Sequence, residues 1–258
     1  MMGDPKLFFR QAKSLGLIVL LATSQSNVAI GLESTRQTKL QTGQGTAFKI
    51  ADGVWMTAKH VSNGCTSTLV EFGADTLQVN KEIAHDSADM SILITEEPDF
   101  ASSLEIVKAL PSEGDFGFLY GYTDNQAVNI KQSFLGTKTL TIPIGRRTLA
   151  TQEVAFWVEV TRRPGVGTGS PRLAGASGSP ILNSQGGVVG LHIASIPRRG
   201  RTFSIAPASI NDFIQSKDIN ADGIFAETLP ANDSAAAWLI NSGLLRDQLS
   251  VTRVFCSR

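Results

Sequence analysis

The sequence predicts an all-β protein of two successive barrels, with one short helix behind the second barrel and a C-terminal extension. Short runs of Val, Ile, Leu, Phe and Thr recur along the chain, separated by Asp-Gly, Asn-Gly and Gly-Gly pairs that suit tight turns. The 258 residues include 24 glycines and are 42% hydrophobic, enough for a sizeable core. The strand candidates fall into two groups on either side of a polar stretch near 96–113, with no helical periodicity between them. Strands spaced in this way are read as barrels or sandwiches.

Residues 1–24 are expected to be an export signal. Lys6, Arg10 and Lys13 form a basic region, Leu15 to Ala22 an apolar one, and Ala22-Thr23-Ser24 a run of small residues where cleavage is expected after Ser24. Eight largely apolar residues are too few to span a bilayer as a helix, so no stable membrane anchor is expected. Export implies a secreted or periplasmic location, where disulfides persist. Cys65 and Cys256 are the two cysteines; they either pair, tying the tail to the loop after His60, or stand as two buried thiols.

The first barrel is expected within 25–110. Thr46–Ile50 and Val54–Ala58 read as a hairpin about the turn Ala51-Asp52-Gly53, followed by strands at Thr68–Phe72, Leu77–Ile83 and Met90–Thr95. The second barrel is expected within 111–217. Its strands are Phe116–Tyr122, Val128–Phe134, Lys138–Ile142, Phe156–Thr161, an apolar run after Pro180, Val188–Ile193 and Thr202–Ile205. Ser209–Ser216 is expected to be a helix capped by Ser209, with Ile210, Phe213 and Ile214 as its apolar stripe. Residues 218–258 form an extension with no role assigned, helical over Ala235–Asn241 and a strand over Val251–Phe255.

Lys plus Arg and Asp plus Glu are 23 each, so the net charge is zero and no global field draws in nucleic acid. The clusters Arg146-Arg147, Arg162-Arg163 and Arg198-Arg199-Arg201 have no aromatic interleaving and read as solvated loop charges. No nucleic-acid partner is expected.

The densest local signal is Gly175-Ala176-Ser177-Gly178-Ser179-Pro180, followed by an apolar strand, a Gly186-Gly187 turn and a second apolar strand. Glycines around a serine allow a tight bend in which backbone amides converge on one small space. A serine hydroxyl needs an adjacent imidazole to act as a nucleophile, and that imidazole needs a carboxylate to orient it. The histidines are His60, His85 and His192. His60 lies in Thr57-Ala58-Lys59-His60 directly after an apolar strand, a context His85 lacks. Asp89 immediately precedes the strand Met90-Ser91-Ile92-Leu93, whereas its rival Asp86 reads as a loop residue.

These three motifs resemble those of chymotrypsin-like serine peptidases, and their order His, Asp, Ser is the order in chymotrypsin, unlike that in subtilisin or α/β-hydrolases. Among these the chain is similar to the compact bacterial branch of glutamyl endopeptidases and HtrA-type protease domains. The resemblance implies two six-stranded Greek-key barrels and a triad of His60, Asp89 and Ser177. It also implies an oxyanion hole from the Gly175 and Ser177 amides, a polypeptide substrate and no cofactor or metal. Ala176 stands where the digestive enzymes carry an aspartate, so no switch of the trypsin zymogen kind is expected. His192, in Gly190-Leu191-His192, sits where glutamyl endopeptidases place a histidine for Glu or Gln at P1. It is either that pocket residue or a structural histidine in a barrel strand. The backbone of Ile193, Ala194 and Ser195 is expected to pair with extended substrate. The alternative function is a non-catalytic binding module that keeps the protease fold. The oligomeric state is not legible.

Overall fold

A computed structural model describes residues 42–96, 102–123, 126–143, 149–162, 173–219 and 250–258. The chain divides into two units, Met1–Thr38, which lies outside the described residues, and Lys39–Arg258, which holds every element below. The expected export signal and the expected helix at Ala235–Asn241 fall outside the described residues.

Antiparallel strands form two closed six-stranded barrels. The first contains β1 (Thr42–Ala51), β2 (Val54–Thr57), β3 (Ser67–Phe72), β4 (Asp75–Ala84), β5 (Ser91–Thr95) and β12 (Val251–Ser257). The second contains β6 (Phe116–Thr123), β7 (Gln126–Pro143), β8 (Leu149–Arg162), β9 (Pro180–Leu182), β10 (Val188–Ile196) and β11 (Arg201–Ile205). Alternation marks the inward face: β3 reads half-buried and buried in strict turn, with Thr68, Val70 and Phe72 inside. The predicted hairpin forms as expected, Ala51 pairing with Val54 across Asp52-Gly53.

Strand β12 occupies the place between β1 and β3, with Val254 opposite both Gly45 and Val70. The far end of the stretch 218–258 thus contributes a stave of the first barrel. Arg253 Nε donates to Glu71 Oε2 at 2.7 Å and its Nη2 to Glu71 Oε1, while Thr252 Oγ1 donates to the Glu71 carbonyl at 2.7 Å. Cys65 and Cys256 form a disulfide across a sequence separation of 191, which resolves the open alternative in favour of pairing.

Two strands expected separately, Val128–Phe134 and Lys138–Ile142, are one long strand, β7. Gly136, at φ 111°, sits within a register shift between Phe134 and Thr137 where the strand bends without breaking. The helix α2 (Pro207–Gln215) begins two residues before the expected cap. Proline at the first helical position has its φ already set and lacks only an amide that would go unused, so no Ser209 cap is needed. Ile210, Phe213 and Ile214 are its buried face, as the spacing predicted.

One apolar cluster runs from the interior of the first barrel, through Phe48, Trp55, Met90 and Leu93, to Phe203, Ile205 and α2. A second fills the other barrel with Leu119, Ile130, Phe134, Trp157 and Ile181. The buried indoles are satisfied, Trp55 Nε1 donating to Thr95 Oγ1 at 3.2 Å and Trp157 Nε1 to Ser204 Oγ at 2.9 Å.

Candidate active site

Strand β2 ends at Thr57 and leads into a single turn of helix, α1 (Lys59–Ser62), which carries His60. The turn is too short to persist alone and is held by packing: Val61 and Ser62 are buried. Asp89 is 2% exposed and sits just before β5, at the end of a compact loop. His85 organises that loop, its Nδ1 accepting from the amides of Ser87 at 3.1 Å and Ala88 at 2.9 Å. Burial lowers the pKa of His85, which keeps Nδ1 available as an acceptor. Lys59 Nζ donates to the His85 carbonyl at 2.6 Å, and Gln152 on β8 accepts from the Asp89 amide at 3.0 Å.

Both carboxylate oxygens of Asp89 are directed at His60. Oδ1 accepts from the His60 amide at 2.9 Å, and Oδ2 stands 2.7 Å from His60 Nδ1. A carboxylate only accepts, so this contact assigns the proton to Nδ1 and turns the Nε2 lone pair outward. The His60 side chain is 37% exposed and therefore reachable.

The serine loop packs onto the same place from the second barrel. Gly175 and Gly178 have φ of 94° and 91°, values open to glycine with little strain. A side chain at Gly178 would in addition lie 2.0 Å from the Thr46 carbonyl and 3.1 Å from the Ala58 amide, so the loop rests on the strand end two residues before His60. Thr46, on β1 and fully buried, links the two barrels. Its amide donates to the Ser177 carbonyl at 2.9 Å, its hydroxyl donates to the Gly175 carbonyl at 2.9 Å and accepts from the Tyr122 amide at 3.1 Å, and its carbonyl accepts from Thr57 Oγ1 at 2.7 Å.

Within the loop the amides of Ala176, Gly178 and Ser179 are taken by the carbonyls of Leu173, His192 and Ala176. The amides of Gly175 and Ser177 meet no acceptor among the described residues. Among the described contacts His60 bonds to Asp89 and not to Ser177. Such contacts are often long in unliganded sites and close when substrate arrives.

His192, on β10, lies beside this group. Its amide donates to the Ser179 carbonyl at 2.8 Å, and it is 1% exposed, with a buried Nδ1 that has no partner among the described residues. Burial pushes its pKa down to about 3; nearby His60 pushes the same way and Asp89 opposes. Ile193 is buried, whereas Ala194 and Ser195 are half-exposed. Here β10 pairs with β11 on one side, while its pairing with β9 on the other has ended at Leu191. Among the described residues no group of three or more His, Cys, Asp or Glu side chains is gathered to hold a metal ion.

The sequence picked out His60, Asp89, Ser177 and His192 but not Thr46, Gln152 or the loop role of His85. Thr46 and Gln152 act across long sequence separations, and neither carries a local signal.

Residues 45–191 match the trypsin-like peptidase domain family. No curated protein matches the chain. Among solved structures, the active form of the Rv3671c protease from M. tuberculosis is similar at 19% identity and a TM-score of 0.55, covering 75% of this chain and 78% of that one. The apo MamO protease domain from Magnetospirillum magneticum is similar at 13% identity and a TM-score of 0.51, over 67% and 94% of the two chains. The HtrA-type protease AlgW with a decapeptide is similar at 16% identity and a TM-score of 0.53, over 67% of this chain and 50% of that one. At these identities the likeness shows a shared fold.

Proposed function

Because this chain belongs to the trypsin-like peptidase domain family and is a serine endopeptidase acting on polypeptides, we propose that Ser177, His60 and Asp89 are its catalytic triad. In this reading His60 Nε2 takes the proton of Ser177 Oγ as the hydroxyl attacks the scissile carbonyl. The proton then passes to the leaving amine, and water releases the acyl group by the same route. Asp89 holds the imidazole and stabilises its cation. The Gly175 and Ser177 amides receive the oxyanion, each such donor being worth about 3 to 4 kcal/mol of transition-state stabilisation. The observation that carries the reading is the pairing of His60 with both oxygens of Asp89, beside a serine loop in which the Gly175 and Ser177 amides meet no acceptor among the described residues.

We further propose that His192 sets a P1 preference for Gln or Glu. A neutral imidazole whose Nδ1 lacks a partner among the described residues supports this, since it can donate to an amide or carboxylate oxygen. Extended substrate would add to the edge of β10 along the backbone of Ile193, Ala194 and Ser195. Cleavage of a peptide library by wild type, Ser177→Ala and His192→Ala tests both steps. Turnover should vanish in the first variant, and the Gln/Glu preference should vanish in the second. Turnover by Ser177→Ala contradicts the triad, and an unchanged profile in His192→Ala contradicts the pocket role.

We also propose export to a secreted or periplasmic location, a reading that the disulfide supports. N-terminal sequencing of protein collected outside the cytoplasm should begin near residue 25; a start at Met1 contradicts it.

A further inference from the structure

Near the His60–Asp89 pair two serines repeat one pattern: Ser62 lies two residues after His60, and Ser91 two residues after Asp89. Both are completely buried. Their hydroxyls converge on a single atom, Oε1 of Glu82 on β4, Ser62 Oγ donating at 2.6 Å and Ser91 Oγ at 2.9 Å. We propose that Glu82 is a positioning residue for catalysis, bracing the turn that carries His60 against the strand that follows Asp89.

The inference rests on the reading of His60 as base and Asp89 as its orienting partner. The strand that leads into the His60 turn and the strand that follows Asp89 are paired through their backbones, Thr57 opposite Ser91. Beyond that ladder the turn itself reaches Asp89 through an imidazole that must stay free to exchange protons and through the His60 amide. The Glu82 carboxylate adds a contact that does not take part in proton transfer. Hydrogen bonds from hydroxyls to a carboxylate are short and about twice as strong as neutral ones. Among the described contacts neither serine hydroxyl has another partner, so removing Glu82 leaves two buried donors with nothing to bond. Relaxation of α1 or of the start of β5 to find new partners would move His60 relative to Asp89. Small displacements of this kind cost rate far more than they cost substrate affinity.

The test compares wild type with Glu82→Ala, Glu82→Gln and the double variant Ser62→Ala/Ser91→Ala. The readouts are kcat and KM on a peptide substrate, and the low-field proton resonance of the His60–Asp89 hydrogen bond. Glu82→Ala is expected to lower kcat roughly tenfold to a hundredfold with KM unchanged, and to broaden or abolish the resonance. In Glu82→Gln the amide oxygen accepts both hydroxyls, so kcat and the resonance return close to wild type. The double serine variant removes both bracing contacts without leaving a buried hydroxyl unpaired, and its half-buried Glu82 carboxylate is within reach of water; its kcat should fall as in Glu82→Ala because the brace itself is gone. A wild-type kcat and resonance in folded Glu82→Ala or in the double variant overturns the proposal, as does a loss in Glu82→Gln equal to that in Glu82→Ala. If wild type shows the resonance but no Ser177-dependent turnover, it is the peptidase reading that fails, and the resonance across the variants still decides the brace.

Discussion

At the scale of single residues, two histidines stand in opposite settings. His60 is partly exposed and bonded to a carboxylate. His192 is buried and its pKa pushed down to about 3. The sign of the consequence follows from linkage. Unfolded, His192 takes up a proton below about pH 6.5; folded, it does so only below about 3, so falling pH favours the unfolded chain between those values. Stability from this group is complete above pH 6.5 and is lost on acidification, at up to about 1.4 kcal/mol per pH unit. Thermal melts of wild type and His192→Gln from pH 7 to 4 check this. The wild-type midpoint should fall more steeply than that of the variant, and parallel falls would contradict the assignment.

At the scale of elements, β12 is the informative one. A strand from the far end of the chain completes the barrel that carries His60 and Asp89, and the disulfide fixes it to the loop after α1. Arg258 extends the contact, its Nη2 donating to the His60 carbonyl at 3.2 Å and the Asn63 carbonyl at 3.4 Å. Closing a loop of 191 residues restricts the unfolded chain by up to about 5 kcal/mol. The double variant Cys65→Ser/Cys256→Ser should therefore melt roughly 10 °C or more below wild type. A midpoint within a degree or two would show that β12 is held without the crosslink. Docking of this strand was not legible in the sequence. Val251–Phe255 has the composition of a strand, but pairing across some two hundred residues leaves no local trace. The single turn α1 was missed for a related reason, since four residues carry no periodicity. The two strands expected over Val128–Phe134 and Lys138–Ile142 are continuous because the glycine between them, Gly136, serves as a bend within one long strand.

At the scale of the whole molecule, two barrels joined by an apolar cluster that runs through both meet where one carries His60 and Asp89 and the other Ser177. The motifs around His60, Asp89 and Ser177 were legible because each needs a fixed local backbone: a strand end, a strand start, a glycine-flanked turn. The residues that join them were not. Thr46 reads in sequence as one more strand threonine, yet four of its hydrogen bonds tie β1 to Ser177, Gly175, Tyr122 and Thr57. Gln152 reaches the Asp89 amide from the opposite barrel with no pattern to announce it. Chemistry is encoded locally here and assembly is encoded at long range.

The most direct test of the account is mass mapping of the site modified by a fluorophosphonate, followed over time. Wild type should carry one adduct, on Ser177, absent in Ser177→Ala and slowed on the order of 10⁴-fold in Asp89→Asn, where an amide replaces the acceptor that fixes the His60 tautomer. An inert wild type, an adduct on another residue, or undiminished labelling in Asp89→Asn would contradict the claim that hydroxyl, imidazole and carboxylate work as one unit.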